Sequence, residues 1–351
     1  VLGVPRQEVV AASAARIELE VTSVTEDELA GALATAVARG FDLARELPLR
    51  AHLYAIEATP GQVASEHVLL LVLHHIAGDG WSLRPLLRDL GVLYRARVEG
   101  TSAQLPALPV QYADYTLWQQ AVLGEEGEAD SAIARQLAFW KEALGELPEQ
   151  IELPADRARP AVSSHRGGHV PLTIDAELHR GLATLARSSG ASLFMVLQAG
   201  LAGLLTRLGA GTDIALGSPV AGRMDAALDE LVGFFVNTLV LRTDTSGNPD
   251  FGELIGRVRS RNLAAYAHAE LPFERLVEVL NPARSLSRHP LFQVMLAFEA
   301  ADGAGAGLSL PGLTVQPHAV AAATSKFDLS VALTEQRTAS GEPAGLTGVL
   351  E

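Results

Sequence analysis

The chain has 351 residues, 48% of them hydrophobic and 19% charged. That composition excludes wholesale disorder and supplies enough apolar material for about two domains of ~150 residues each. Its 27 basic and 41 acidic residues give a net charge of −14 with no basic stripe, which argues against a grip on nucleic-acid phosphates, and the absence of cysteine excludes disulfides, thiolate nucleophiles and Cys-ligated zinc.

In chain order, Thr25 and Glu28 form a capping box ahead of Leu29, Leu33 and Val37 at helical spacing. Strands are predicted over 51–56 and 67–73, the second as a buried apolar run. After the glycines at 78 and 80, residues 82–98 read as a helix with Leu83, Leu86, Leu87, Leu90 and Leu93 on one side. Helices follow over 112–123 and 130–144, the latter carrying Phe139-Trp140. Pro148, Pro154 and Pro160, then Ser163-Ser164 and Gly167-Gly168, interrupt any regular structure. The expected division is a first lobe over 1–150, a linker over 151–164 and a second lobe over 165–351. In the second lobe helices are predicted over 175–188, 191–208 and 251–267, and strands over 213–217, 234–242, 291–298 and 326–333. Pro272-Phe273-Glu274 reads as a helix start with Pro at its first position, and 302–312 as a mobile loop. Phe41-Asp42-Leu43 and Phe327-Asp328-Leu329 are a weak internal echo. The first residues show no signal-peptide pattern and no apolar run reaches the ~18 residues of a membrane span, so the expected location is cytoplasmic.

The stretch His74-His75-Ile76-Ala77-Gly78-Asp79-Gly80 carries the chemistry. An imidazole at a strand end is rigidly placed and titrates near neutrality. It can take a proton from an attacking amine or hydroxyl, or orient that nucleophile. Asp79 can fold back to brace the loop through an Arg or a backbone donor. Gly80 allows close backbone approach, and its N–H near a helix start suits a developing oxyanion. Either histidine alone reads as an ordinary strand-end residue; the whole spacing is rarer. Neighbouring histidines on a strand point to opposite faces, so no metal site is expected. No G-x-S-x-G elbow is present, and Ser82 reads as a helix cap.

HHxxxDG followed by Trp81-Ser82 resembles the core motif of condensation domains of nonribosomal peptide synthetases. Tyr112-Ala-Asp-Tyr-Thr-Leu-Trp118 resembles the family's YxDYxxW, and Val232-Gly-Phe-Phe-Val-Asn-Thr238 with Arg242 its VGxFVNT…R. His268-Ala-Glu-Leu-Pro-Phe-Glu274 is similar to HQDxPFE, and Arg284-Ser-Leu-Ser-Arg-His-Pro-Leu291 to RDxSRNPL, with His289 replacing Asn. The five stand in family order over 74–291, and Phe41-Asp-Leu with Pro48-Leu-Arg50, and Lys326-Phe-Asp-Leu329, extend the likeness. The family's S-x-A-Q-x-R-x-W stretch is absent, so its first strand and helix, and an Arg partner for Asp79, are expected to precede Val1; the C-terminal end is likewise expected to be cut.

The resemblance implies an α/β fold of two chloramphenicol-acetyltransferase-like lobes, each a mixed sheet with helices, forming a V with a central tunnel. It implies amide bond formation between an upstream carrier-bound aminoacyl or peptidyl thioester and the amine of a downstream carrier-bound aminoacyl thioester. The implied partners are the two peptidyl carrier domains and an adjacent adenylation domain. No cofactor is bound directly; the phosphopantetheine arms belong to the carriers. The implied catalytic set is His75, with His74 and Asp79 supporting the loop and Gly80 offering its N–H. Trp81, Ser82, Asn237 and Arg288 are the candidate substrate contacts. An epimerization domain, a non-catalytic recruitment module and an acyltransferase using free coenzyme A remain alternatives. For Tyr112, Tyr115 and Trp118 core packing is the simpler reading, for Arg284 and Arg288 loop bracing, and for Asn237 substrate and backbone stand as equal partners.

Overall fold

The structure is a computed structural model that describes residues 6–57, 66–300, 307–318, 320 and 324–351. It divides into two compact units. The first comprises Val1–Ala107 with Glu230–Phe234 and Gly307–Ala322; the second comprises Leu108–Asp229, Phe235–Ala306 and Ala323–Glu351.

In the first unit β1 (Leu19–Val24), α1 (Glu26–Ala38), β2 (Leu49–Ile56) and β3 (Glu66–Leu73) precede α2 (Leu83–Glu99). The sheet order is β1-β2-β3, with β1 parallel to β2 and β2 antiparallel to β3. Helix α1 supplies the crossover that a parallel pair requires. Its start is closed by Glu28, whose carboxylate accepts from the Thr25 N–H and hydroxyl, both at 2.9 Å. Leu29 and Leu33 then bury against Val24, Tyr54 and Leu70. Of the apolar run 68–73 only Leu70 is buried, and Leu69 is exposed. A strand buried on both faces is therefore not what this run forms; α1 covers one face, where Val68, Leu70 and Val72 alternate inward.

The second unit holds α3 (Tyr112–Leu123), α4 (Ala132–Ala143), β4 (Val170–Ile174), α5 (Ala176–Ser188), α6 (Leu193–Arg207), β5 (Asp213–Val220) and β6 (Asn237–Asp244). These are followed by α7 (Phe251–Tyr266), α8 (Phe273–Leu280), β7 (Val294–Glu299), β8 (Leu329–Arg337) and β9 (Pro343–Leu350). The mixed sheet runs β4-β9-β8-β7-β5-β6, parallel only at β5/β7 and β7/β8. Ile214, Leu216, Val294 and Leu296 fill its centre. Val196 and Ala199 of α6 bury against Ile255 and Val258 of α7. Among the described residues no single helix is long and apolar enough to cross a membrane.

The unit boundary falls after Ala107, not at 150, for a physical reason. Leu137 and Trp140 of α4 bury in one cluster with Leu239, Val240 and Leu241 of β6. The Trp140 indole N–H donates to the His268 carbonyl at 2.8 Å. Arg242 pairs with Asp213 at 2.7 and 2.9 Å and donates to the carbonyls of Ala143 and Gly145, tying the end of α4 to the sheet. The stretch 151–164 expected as a linker is likewise anchored within this unit. Ile151 is buried and its N–H donates to Gln293 at 3.0 Å, Arg159 pairs with Asp328, and the Ser163 N–H donates to the Leu286 carbonyl.

Two elements escaped the periodicity reading for identifiable reasons. Strand β4 is only five residues long, carries Pro171 and lies at the edge of its sheet. Strand β1 is almost wholly exposed and shows little apolar alternation. Pro272 sits at the N-cap of α8 with ψ 137°, one position before the place expected of it. Of the expected mobile loop 302–312, residues 302–306 lie outside the described residues; 307–310 carry no regular structure.

Candidate active site

Strand β3 ends at Leu73, and the His74 N–H closes on the Pro48 carbonyl at 2.9 Å. The chain then makes two short 3₁₀ turns, His75–Ala77 and Gly80–Ser82, before α2 begins. Each turn is closed by a side chain at its N-cap. Nδ1 of His74 accepts from the Ile76 N–H at 3.0 Å, so that ring nitrogen is committed to the loop. The His74 ring also meets Phe41 edge-on at 5.7 Å, and Phe41 is covered on its face by the Arg50 guanidinium at 3.9 Å. The Phe41 and Arg50 stretches thus support His74. Between the turns Gly78 is extended, and a Cβ there would overlap the Leu73 side chain.

Asp79 is buried and caps the second turn. Its Oδ1 accepts from the Ser82 N–H and hydroxyl, each at 2.9 Å. The loop is therefore braced through a backbone donor, one of the two routes the spacing permits. Gly80 opens this turn and is exposed. A Cβ on it would meet nothing within 4 Å, so packing inside the protein does not demand glycine there. Its position ahead of α2 is where helix N–H groups lack intrahelical acceptors.

His75 differs from His74 and Asp79, the two side chains that cap the turns. Its side chain is exposed, and among the described residues neither ring nitrogen is hydrogen-bonded. The ring stands perpendicular to Phe234, with centroids 5.0 Å apart and planes at 83°. An imidazole held by one aromatic edge, with both nitrogens available, can accept a proton from an amine or hold its lone pair in line. Trp81, six residues further along the loop, is 44% exposed.

Three of the candidate substrate contacts have other duties. Ser82 is fully buried, and its hydroxyl engages Asp79 and Gly233. The helix cap expected of it is not formed; Ser82 occupies the N-cap position of α2 without a capping bond. Asn237 donates to the carbonyls of Ala269 and Leu271 and accepts from the N–H groups of Thr238 and Phe273. All four bonds go to backbone, which decides between its two readings in favour of structure. Arg288 pairs with Glu149 and braces a loop. Tyr115 is buried, and Tyr112 and Tyr115 pack on Phe235 at 5.1 and 4.8 Å, while Trp118 is exposed. In the segment 268–274, the His268 ring stacks on Phe139 at 3.9 Å, while Gln136 bonds both the Glu270 carboxylate and the Leu271 N–H.

Gly233 and Phe234 stand in the Val232–Thr238 motif but receive no site role from sequence, because Phe234 reads as the first residue of a strand that starts only at Asn237. Among the described residues no group of three or more His, Asp or Glu side chains is arranged to hold a metal.

A condensation-domain profile matches residues 2–341. The chain belongs to the condensation domain family. This condensation domain is 55% identical over 349 residues to the dimodular nonribosomal peptide synthase of Bacillus subtilis (strain 168), covering 99% of this chain and 14% of that protein. It is 45% identical over 352 residues to the isonitrile lipopeptide synthase of Mycobacterium tuberculosis (strain ATCC 25618 / H37Rv), again covering 99% of this chain and 14% of that protein. The domain thus spans a small fraction of the length of these relatives. Among solved structures, the X-domain from teicoplanin biosynthesis superposes with TM-score 0.87 at 37% identity, over 96% of this chain and 74% of that one. The first condensation domain of the CDA synthetase gives 0.69 at 20% identity, over 99% and 75%, which speaks to fold alone. The mixed α/β architecture with two sheets is that of this chloramphenicol-acetyltransferase-like family. Condensation domains of nonribosomal peptide synthetases are acyltransferases that form amide bonds, and this chain is an enzyme domain of that class.

Proposed function

We propose that the domain joins two carrier-bound substrates at His75. An upstream carrier presents an aminoacyl or peptidyl thioester on its phosphopantetheine arm, and a downstream carrier presents an aminoacyl thioester with a free amine. The amine nitrogen attacks the donor carbonyl, the carbon–sulfur bond breaks, and the upstream arm leaves as a thiol with the proton the amine gives up. No covalent enzyme intermediate is needed. An adenylation domain of the same polypeptide loads the acceptor.

The observation that carries this reading is the exposed His75 ring with both nitrogens unbonded, on a loop whose other members brace one another. An α-amine with pKa near ~8 is partly neutral at pH 7. Proton abstraction is worth ~10²–10⁴-fold, whereas holding two reactants in line can be worth ~7–11 kcal/mol. His75 therefore acts mainly by orienting the amine, with the Gly80 N–H facing the carbonyl oxygen. The test is amide formation from loaded upstream and downstream carriers, run beside the same acyl groups on free coenzyme A. Product from carriers only is expected, with L and D donors compared in parallel. Equal turnover of the coenzyme A thioesters would overturn the carrier requirement.

A second reading is a module that recruits another protein without catalysis. The X-domain from teicoplanin biosynthesis, 37% identical, was solved in complex with OxyB. That reading requires the wild-type domain to give no more product than a His75→Ala variant.

A further inference from the structure

The two 3₁₀ turns explain how the His75 backbone is held, but not what fixes the direction of its exposed ring. That ring touches Phe234, which lies far along the chain, so something must hold Phe234 in place. Ser82 does so. Its hydroxyl accepts from the Gly233 N–H at 3.1 Å and lies 2.9 Å from the Gly233 carbonyl, across 151 residues of sequence. The same oxygen accepts from the Asp79 N–H at 3.2 Å and lies 2.9 Å from Asp79 Oδ1. Six residues further along α2, Arg88 pairs with Glu230 at the other end of the same short segment. Glu230–Phe234 is thus fastened to the start of α2 at two points, one of them fully buried. Phe234 directly follows the buried fastening, and its ring is the aromatic partner of His75.

We propose that Ser82 is a positioning residue. Its hydroxyl fastens Gly233, so that Phe234 stands edge-on to His75 and selects one orientation of the imidazole. This rests on the proposed role of His75. A hydroxyl suits the position because it donates and accepts within one short side chain, serving the loop and the returning segment at once. Alanine would leave buried backbone groups of Asp79 and Gly233 short of a partner. A perpendicular pair at this spacing has a directional preference that a purely apolar contact lacks.

The test uses Ser82→Ala and Phe234→Leu, with Ser82→Thr as the variant that keeps the hydroxyl. Should Ser82→Ala fail to fold, Ser82→Cys, close in size and weak in hydrogen bonding, takes its place. Two readouts are combined. In protein labelled at histidine, the His75 Cε1–Hε1 resonance is identified from its loss in His75→Gln. It is expected to move in Ser82→Ala and in Phe234→Leu as the ring current of Phe234 is withdrawn, and to stay near its wild-type position in Ser82→Thr. In single-turnover amide formation, Ser82→Ala is expected to lower the rate about 10- to 100-fold, the scale of ångström-level misplacement, with little change in acceptor KM. In a His75→Ala background Ser82→Ala is expected to cost nothing further. A rate loss with an unmoved His75 resonance, or an equal loss in the His75→Ala background, overturns the positioning role. If His75→Ala alone keeps the wild-type rate, the catalytic reading of His75 fails, while the resonance still decides whether Ser82 and Phe234 orient the ring.

Discussion

His75 and His179 show two opposite uses of an imidazole. His179 lies on α5 with no solvent exposure. Its Nδ1 accepts from the Gly345 N–H at 3.1 Å, which leaves Nε2 to donate to the Glu335 carboxylate at 3.1 Å. One tautomer is thereby fixed, and no nitrogen is left for anything else. His75 is exposed on a turn, touches one aromatic edge, and is bonded at neither nitrogen among the described residues. A fully satisfied buried ring contributes stability and rigidity, whereas a held but unbonded ring can meet a substrate.

Substitutions that remove a satisfied ring or amide should therefore cost stability and little chemistry per folded molecule. The largest effect is expected for His179→Leu, which leaves Glu335 buried with Arg337 as its charged partner at 2.6 Å. A loss of about 3 kcal/mol is expected from taking one of its partners from a buried carboxylate and leaving the Gly345 N–H without an acceptor, read by denaturant unfolding. Asn237→Ala orphans four backbone groups and should cost about 2 kcal/mol, in line with a structural duty. If it instead raised the acceptor KM with unfolding unchanged, the assignment of Asn237 to structure would be wrong.

His289 sits between the two extremes and sharpens the contrast through pH. Its ring packs among Phe273, Phe292 and Phe327, with centroids at 5.6, 4.4 and 4.9 Å, and burial pushes its pKa below the ordinary 6.5. The unfolded chain then takes up this proton first as pH falls. Stability contributed by the group is complete above the ordinary value and is lost as pH drops through the lower folded one. Thermal unfolding from pH 8 to pH 5 should show a steeper loss for the wild type than for His289→Asn; parallel curves would remove His289 from the account. The smallest effect on stability is expected for His75→Ala, within about 0.5 kcal/mol, since an exposed ring on a turn contributes little packing.

The part of this contrast that was legible in the sequence is local. The HHxxxDG spacing, the Thr25 and Glu28 box and helix 112–123 each depend on residues a few positions apart, and each stands in the structure where the pattern placed it. What was not legible depends on distant partners. Asn237 could bind a ligand or a backbone until Ala269, Leu271 and Phe273 were seen beside it. Ser82 looked like a helix cap because a serine before an apolar run usually is one, yet its hydroxyl turns to Gly233. The edge of the first lobe was misplaced because prolines over 148–160 resemble a linker, while burial of Trp140 and Ile151 assigns that stretch to the second unit. Strand β4 went unread because it is short and carries Pro171 at a sheet edge, where pairing with β9 rather than its own pattern makes it a strand.

The most direct test of the central claim is the single-turnover rate of amide formation for His75→Ala against wild type. It should use loaded upstream and downstream carriers and a weakly nucleophilic acceptor amine, for which orientation and proton removal matter most. A fall of about 10²-fold, with the unfolding midpoint unchanged, is the expected result. A His75→Ala rate within about twofold of wild type would contradict the claim that this imidazole carries the reaction.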